Sequence, residues 1–219
     1  MALVKALLFS LAIGPFFGFP LADSYRDFAG NPIYGFDLSL RYQVNERFSM
    51  GLLTGAAFSS REDELGLPII DGAEISNESY TQVVTGYQVP FQVTGTFYTL
   101  PGERFNPYLG VGLGGSYAGV AAKARDLPGN ADVSEGDLTD SESDFLFAFS
   151  PYLGCDVEIS RHVGVYLEAR YNYLSSLKFE RDVANPVRVG GAREAPTVTE
   201  KRDIEMFNVG GSLGVRFRF

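Results

Sequence analysis

Residues 204–219 read IEMFNVGGSLGVRFRF. From Phe207 onward, Phe207, Val209, Leu213, Val215, Phe217 and Phe219 take alternate positions, and Asn208, Gly210, Ser212, Gly214, Arg216 and Arg218 take the others. This period of two belongs to a strand with unlike faces. Its polar face is short and glycine-rich rather than dressed in Lys and Glu, and it ends on an aromatic residue. A terminal Phe in water exposes apolar area at a cost, whereas a strand whose outer face meets lipid gains from it.

Working outward, the 219 residues suit one domain or one barrel. Glycine at 25 and aromatics at 14% are high, with no Trp, a composition that favours strands, tight turns and lipid-interface rings. The net charge of −9 and the lack of a basic run argue against nucleic acid as a partner. The lone Cys155 forms no internal disulfide and supplies no zinc-ligand spacing; a buried or lipid-facing thiol is expected. Outside the N-terminus no apolar run reaches the roughly 18 to 20 residues of a helical span.

The same alternation recurs along the chain. Tyr34, Phe36, Leu38, Leu40 and Tyr42 oppose Asp37, Ser39, Arg41 and Gln43, and Asn45-Glu46-Arg47 turns the chain into Phe48, Met50 and Leu52. Strands joined so tightly are antiparallel neighbours. Tyr87, Val89, Phe91, Val93 and Phe97 oppose Gln88, Gln92, Thr94, Thr96 and Tyr98, with Pro90 predicting a bulge or local irregularity. Leu109, Val111, Leu113 and Tyr117 oppose Tyr108, Gly110, Gly112, Gly114 and Ser116. Phe145, Phe147, Phe149, Leu153, Cys155 and Val157 mark the next outer face, and Tyr166, Glu168, Arg170 and Asn172 share the inner face of the one after. The intervals 60–79, 121–143 and 175–203 lose the pattern and read as long loops. The first two are acidic, and together they account for the net charge of the chain.

Counting decides the N-terminus. Seven strands follow residue 33, and their connections alternate short, long, short, long, short, long. Single-chain bacterial barrels have an even number of strands, short periplasmic turns and longer external loops. The eighth strand therefore falls at 6–17, with 18–32 as the first external loop. Residues 1–22 alternatively resemble a signal peptide, with Lys5 ahead of an apolar run and Pro-Leu-Ala at 20–22 as an imperfect cleavage site. Cleavage there would leave seven strands. The fold expected is all-β, an eight-stranded antiparallel up-and-down transmembrane β-barrel occupying residues 1–219. Its strands lie near 6–17, 33–44, 47–59, 80–99, 107–120, 144–159, 163–174 and 204–219, with both termini periplasmic.

A soluble lipocalin-like barrel also alternates, but its cavity face is the apolar one and its outward face carries abundant Lys and Glu. Here the charges gather in the loops. The segments FNPYLGVGLGGSY (residues 105–117), GVYLEARYNYL (164–174) and the terminal GVRFRF resemble the small eight-stranded outer-membrane barrels of the OmpA, OmpX and OmpW type. That resemblance implies a bacterial outer-membrane location. It also implies that the final strand, through Phe207, Val215, Phe217 and Phe219, is the signal read by the barrel assembly machinery.

An eight-stranded interior is just wide enough for side chains to fill. The expected lumen network is Asp37, Arg41, Glu168, Arg170 and Arg216, an ion-paired cluster in preference to a gated polar path, because unpaired charge there costs several kcal/mol. The only histidine, His162, sits in a short turn, so no catalytic residue is assigned. The acidic loops lack the spacing of a calcium loop, and no metal or cofactor is assigned. The expected role is structural or surface-interacting through the external loops, for a monomer surrounded by outer-membrane lipid and lipopolysaccharide. The alternative is a narrow channel or conduit for small solutes, hydrophobic ones included. A barrel of this kind should migrate differently on SDS gels before and after boiling, and should refold in detergent. Recovery as a soluble monomer without detergent would contradict it.

Overall fold

The computed structural model describes residues 9–71, 74–126, 140–184 and 197–219. Eight strands form a closed barrel in chain order: β1 (Phe9–Pro20), β2 (Ile33–Gln43), β3 (Phe48–Asp71), β4 (Glu74–Tyr98), β5 (Phe105–Arg125), β6 (Asp140–Glu158), β7 (Val163–Ala184) and β8 (Thr197–Arg218). A short helix, α1 (Asp23–Ala29), lies between β1 and β2. Every neighbouring pair is antiparallel, including β1 with β8. At the seam Phe219 N–H donates to the Phe9 carbonyl at 2.9 Å. Closure matters because an unpaired backbone group facing hydrocarbon costs several kcal/mol.

The stagger is readable from the pairing. Leu11 lies opposite Leu40, then Leu52, Val93, Leu113, Phe149, Tyr173 and Phe207 in turn. The Phe207 carbonyl accepts from the amide of Leu21, so the circuit returns to the first strand's chain ten residues above its start. This stagger sets the strand tilt and the width of the interior.

The outer face forms a lipid band. Phe9, Tyr42, Phe97, Phe105 and Phe217 are exposed toward the end with the short turns, and Phe17, Tyr34, Phe58, Tyr117 and Phe145 toward the opposite end. Leu40, Leu52, Val93, Leu113, Leu153 and Leu213 are exposed between them. Aliphatic residues flanked by aromatic girdles are the signature of a barrel in a bilayer.

Three of the expected loops are corrected. β3 and β4 stay paired as far as Asp71 opposite Glu74, where 60–79 reads as a loop in the sequence. β5 and β6 likewise extend to Arg125 and from Asp140, and β7 and β8 pair as far as Ala184 opposite Thr197. The physical reason is that alternation reports unlike environments on the two faces. Beyond the lipid band the outer face meets water instead of lipid and takes polar residues, so the contrast between the faces fades while the backbone ladder continues. β1 begins at Phe9 and runs on to Pro20, past the expected end at 17, and residues 6–8 lie outside the described part of the chain. At Pro90 the β3–β4 ladder shows the expected local irregularity as a gap, since Thr54 pairs with Phe91 and Ala57 with Gln88 but the two rungs between are missing, while the register is unchanged. Pro90 itself pairs with Ser116 of β5. The register shift falls instead on β7, between Leu174 and Leu177.

Inward glycines make room for aromatic rings. A Cβ on Gly154 would stand 2.7 Å from the Tyr108 ring and hydroxyl, whereas one on Gly95 would meet nothing nearer than the Phe48 ring at 3.6 Å. Gly154→Ala should therefore destabilise the refolded barrel by about 1–3 kcal/mol, and Gly95→Ala by less than about 0.5 kcal/mol, both read by urea titration in micelles.

Candidate functional site: the filled lumen

The lumen is built in layers. Toward the short-turn end lies an ionic and aromatic layer. Asp37 and Arg41 sit four residues apart on β2, hence on one face, and Glu168 and Arg170 sit two apart on β7. β1 and β8 stand between these two strands in the wall, so their ion pairs cross the interior. Arg41 meets Glu168 at 2.9 Å and Arg170 meets Asp37 at 3.2 Å, while Arg170 also contacts Glu168. Tyr108 donates its hydroxyl to Glu168 Oε2 at 3.0 Å. Arg216 of β8 reaches across β7 to Asp156 of β6. All of these charged groups are buried, and three guanidiniums meet three carboxylates.

Tyrosine rings hold the cations. The Arg41 guanidinium carbon is 4.9 Å from the Tyr108 ring centre and 5.6 Å from that of Tyr152. Arg216 stands 5.5 Å from Tyr108 and 5.3 Å from Tyr166. Tyr108 thus lies between two cations, attracting both through its ring face. Tyr98 and Tyr152 flank it, with ring centres 5.7 and 6.3 Å away.

Above this layer runs a circuit of uncharged polar groups. Gln92 donates to Ser150 at 2.8 Å, Ser150 to Asn172 at 2.9 Å, Asn172 to Asn208 at 2.8 Å, and Asn208 to Gln88 at 3.4 Å. A cavity of about 30 Å³ lies beside it, with Asp37, Arg170, Ser116, Gln88 and Gln92 on its polar side and Phe16 and Leu174 on its apolar side. That volume admits about one or two water molecules.

The half of the lumen toward the tall hairpins is mostly apolar, with Ser59 and Gln82 as its buried polar side chains. Phe16, Ile33, Val84, Val120, Leu146, Leu174, Leu177, Ile204 and Met206 form one buried cluster. α1 adds Tyr25, whose hydroxyl stands 3.0 Å from Ser59 Oγ and whose pKa burial pushes upward. The helix closes at Gly30, with φ at 80° and its N–H on the Arg26 carbonyl. A side chain there is strained in that conformation, and its Cβ would also stand 2.7 Å from that of Arg61.

All five expected lumen residues, Asp37, Arg41, Glu168, Arg170 and Arg216, therefore point inward, but in two groups. Arg216 pairs with Asp156, which sequence reasoning missed. The signal was present, since Asp156 alternates with the outward Cys155 and Val157. The tyrosine stack was not assigned either, although Tyr98, Tyr108 and Tyr166 fall on inner faces. Of the terminal residues, Val215, Phe217 and Phe219 are exposed on the outer face. Phe207 is half-buried and stacks on Tyr173 at 5.2 Å. His162 lies in the short β6–β7 turn with Nδ1 3.1 Å from the Arg218 carbonyl oxygen.

Comparison with known proteins follows this geometry. The family described as outer membrane protein beta-barrel domain matches residues 13–217. No curated protein sequence matches. Among solved structures, the Neisserial surface protein A is similar at 12% identity, with 96% of this chain and 97% of that one covered and a TM-score of 0.52. The Escherichia coli outer membrane protease OmpT is similar at 10% identity, covering 100% and 99%, with a TM-score of 0.53. A major outer membrane protein from Thermus thermophilus is similar at 10% identity, covering 96% and 99%, with a TM-score of 0.54. At these identities the likeness is one of fold.

Removing Glu168 leaves two buried guanidiniums short of a partner, so Glu168→Ala should destabilise the refolded barrel by about 3–5 kcal/mol. Glu158 pairs with Arg218 at a more exposed site, at 2.9 Å, and Glu158→Ala should cost less than about 1 kcal/mol. Equal losses in denaturant titrations would remove the distinction between the two pairs.

Proposed function

This chain belongs to the outer membrane protein beta-barrel family, and from that premise we propose that it is a closed, non-catalytic surface barrel of the bacterial outer membrane. Its role is to present tall, acidic hairpins outside the cell. The observation that carries this reading is the difference in strand height. β2 leaves β3 at Tyr34 opposite Phe58, yet β3 remains paired with β4 to Asp71. A wall built only to span lipid has no need of those extra rungs.

The β3–β4 and β5–β6 hairpins are acidic where they stand clear. Glu62, Glu64, Glu142 and Asp144 are exposed. The strand edges of the hairpins are blunted: Phe147 N–H donates to Ser175 Oγ at 3.1 Å, Phe145 N–H to Asp144 Oδ1 at 2.7 Å, and Glu205 N–H to Ser24 Oγ of α1 at 3.1 Å. Occupied edges disfavour strand-to-strand association, which supports a monomer whose contacts run through side chains. The partners that suit it are outer-membrane lipid and lipopolysaccharide around the band, cationic surfaces at the hairpins, and the barrel assembly machinery during insertion. Phe9 pairs with Phe219 at the short-turn end, which supports a periplasmic position for both ends.

The filled lumen weighs against a conduit. The setting of His162, bound to a backbone oxygen in a short turn, weighs against catalysis. The refolded chain in planar bilayers should show no discrete conductance steps, and reproducible steps would refute the closed-barrel reading. Replacing the β3–β4 extension between Leu65 and Tyr80, which pair with each other, by a tight turn should leave refolding intact. It should also weaken salt-sensitive binding of chain-bearing vesicles to a polylysine surface. Unchanged binding would remove the hairpins from the role.

A further inference from the structure

We propose that the permeability barrier of this barrel is the apolar layer in the external half of the lumen, completed by Tyr25 as a removable lid, and that the buried ion pairs are not the seal. This rests on the closed-barrel reading and goes beyond it by locating the closure.

The two halves of the lumen treat water differently. In the polar half, Arg41 Nε, Arg216 Nε, Gln88 Nε2 and Ser116 Oγ are buried without a protein partner, and the cavity of about 30 Å³ adjoins Ser116 and Gln88. Groups of this kind in a space of that size are wettable. A hydrated ion there finds donors and acceptors to replace its shell. The other half offers few, chiefly the Ser59 hydroxyl, which Tyr25 engages, and the Gln82 amide beyond Val84. Ile33, Val120, Leu146, Leu177, Ile204 and Met206 are each buried to within 4% of full exclusion, and the cluster draws on all eight strands. An ion crossing the apolar cluster surrenders most of its hydration with little to replace it, which is how hydrophobic constrictions close by dewetting.

Tyr25 differs from the other large members in its attachment. They sit on strands of the wall, each paired with at least one neighbouring strand, whereas Tyr25 rides on a seven-residue helix. That helix is tied to the barrel by the Tyr25–Ser59 hydroxyl contact, the Ser24–Glu205 hydrogen bond and the seat of Gly30 against Ser60 and Arg61. Lifting α1 removes one ring from the layer and breaks no rung of the wall.

Three refolded proteins are compared with the parent in vesicles and planar bilayers: Tyr25→Ser, the double variant Leu177→Ser with Met206→Ser, and the charge-neutral double variant Arg41→Gln with Glu168→Gln. Ion flux should rise about tenfold or more in the two apolar-layer variants and stay at the parent level in the ion-pair variant. Flux through the ion-pair variant, with the apolar-layer variants as tight as the parent, would overturn the assignment, as would equal flux through all three. A leaking parent would instead defeat the closed-barrel reading itself. Because a double variant can fail to fold, a second measurement uses Ser116→Cys in a Cys155→Ser background on intact cells, with a small membrane-impermeant thiol reagent added outside. The thiol should be protected when Tyr25 is present and labelled when Tyr25→Ser is added. Equal labelling in both backgrounds would refute the lid.

Discussion

The pairing of β1 with β8 is the constraint on which everything else rests. In hydrocarbon no water is available to an unpaired amide or carbonyl, so a sheet that crosses a bilayer must leave no edge. Eight strands and the ten-residue stagger then fix the girth of the wall. The girth fixes what the interior holds: side chains rather than a water column. The long arginines, tyrosines and glutamines of the lumen, and the glycines opposite them, are consequences of filling that space.

The filling is divided by chemistry. Ion pairs, tyrosine faces and amides occupy the half toward the short turns, and an apolar layer capped by α1 occupies the other. Charges that are neutralised in pairs and backed by aromatic rings tolerate burial, but such pairs contribute less to stability than their contacts suggest, because desolvation offsets the attraction. The apolar layer carries no such offset. Outside the lipid band the constraint changes again, since water satisfies any edge. The hairpins there are free to differ in height, and local hydroxyls and carboxylates cap the exposed rungs.

Much of this was legible in residue order, and the failures are instructive. Arg41 and Asp37 read as inward because Tyr42, Leu40 and Phe36 read as outward. Asp156 is inward by the same rule, since it stands between Cys155 and Val157. The stretch 60–79 hides its strand for a physical reason: Glu62 and Asp63 pair with Val83 and Gln82 in a regular ladder, but with water instead of lipid against the outer face no apolar row marks it. Pro90, which has no N–H to donate, interrupts the β3–β4 ladder for two rungs and leaves its register unchanged. α1 left little trace, because seven residues give too few turns for a helical period to show.

Sequence by itself determined the number of membrane strands, the face each turns to lipid and the sign of the charge outside, because a bilayer imposes a two-residue contrast that any strand within it must carry. Only the tertiary structure decided which charge meets which, that Arg216 belongs to Asp156 while Arg41 and Arg170 share Glu168, and that α1 caps an apolar layer. Apart from Arg170 with Glu168 within β7, the ion pairs join residues on strands that are not neighbours in the wall, and local pattern holds no information about distances across the lumen.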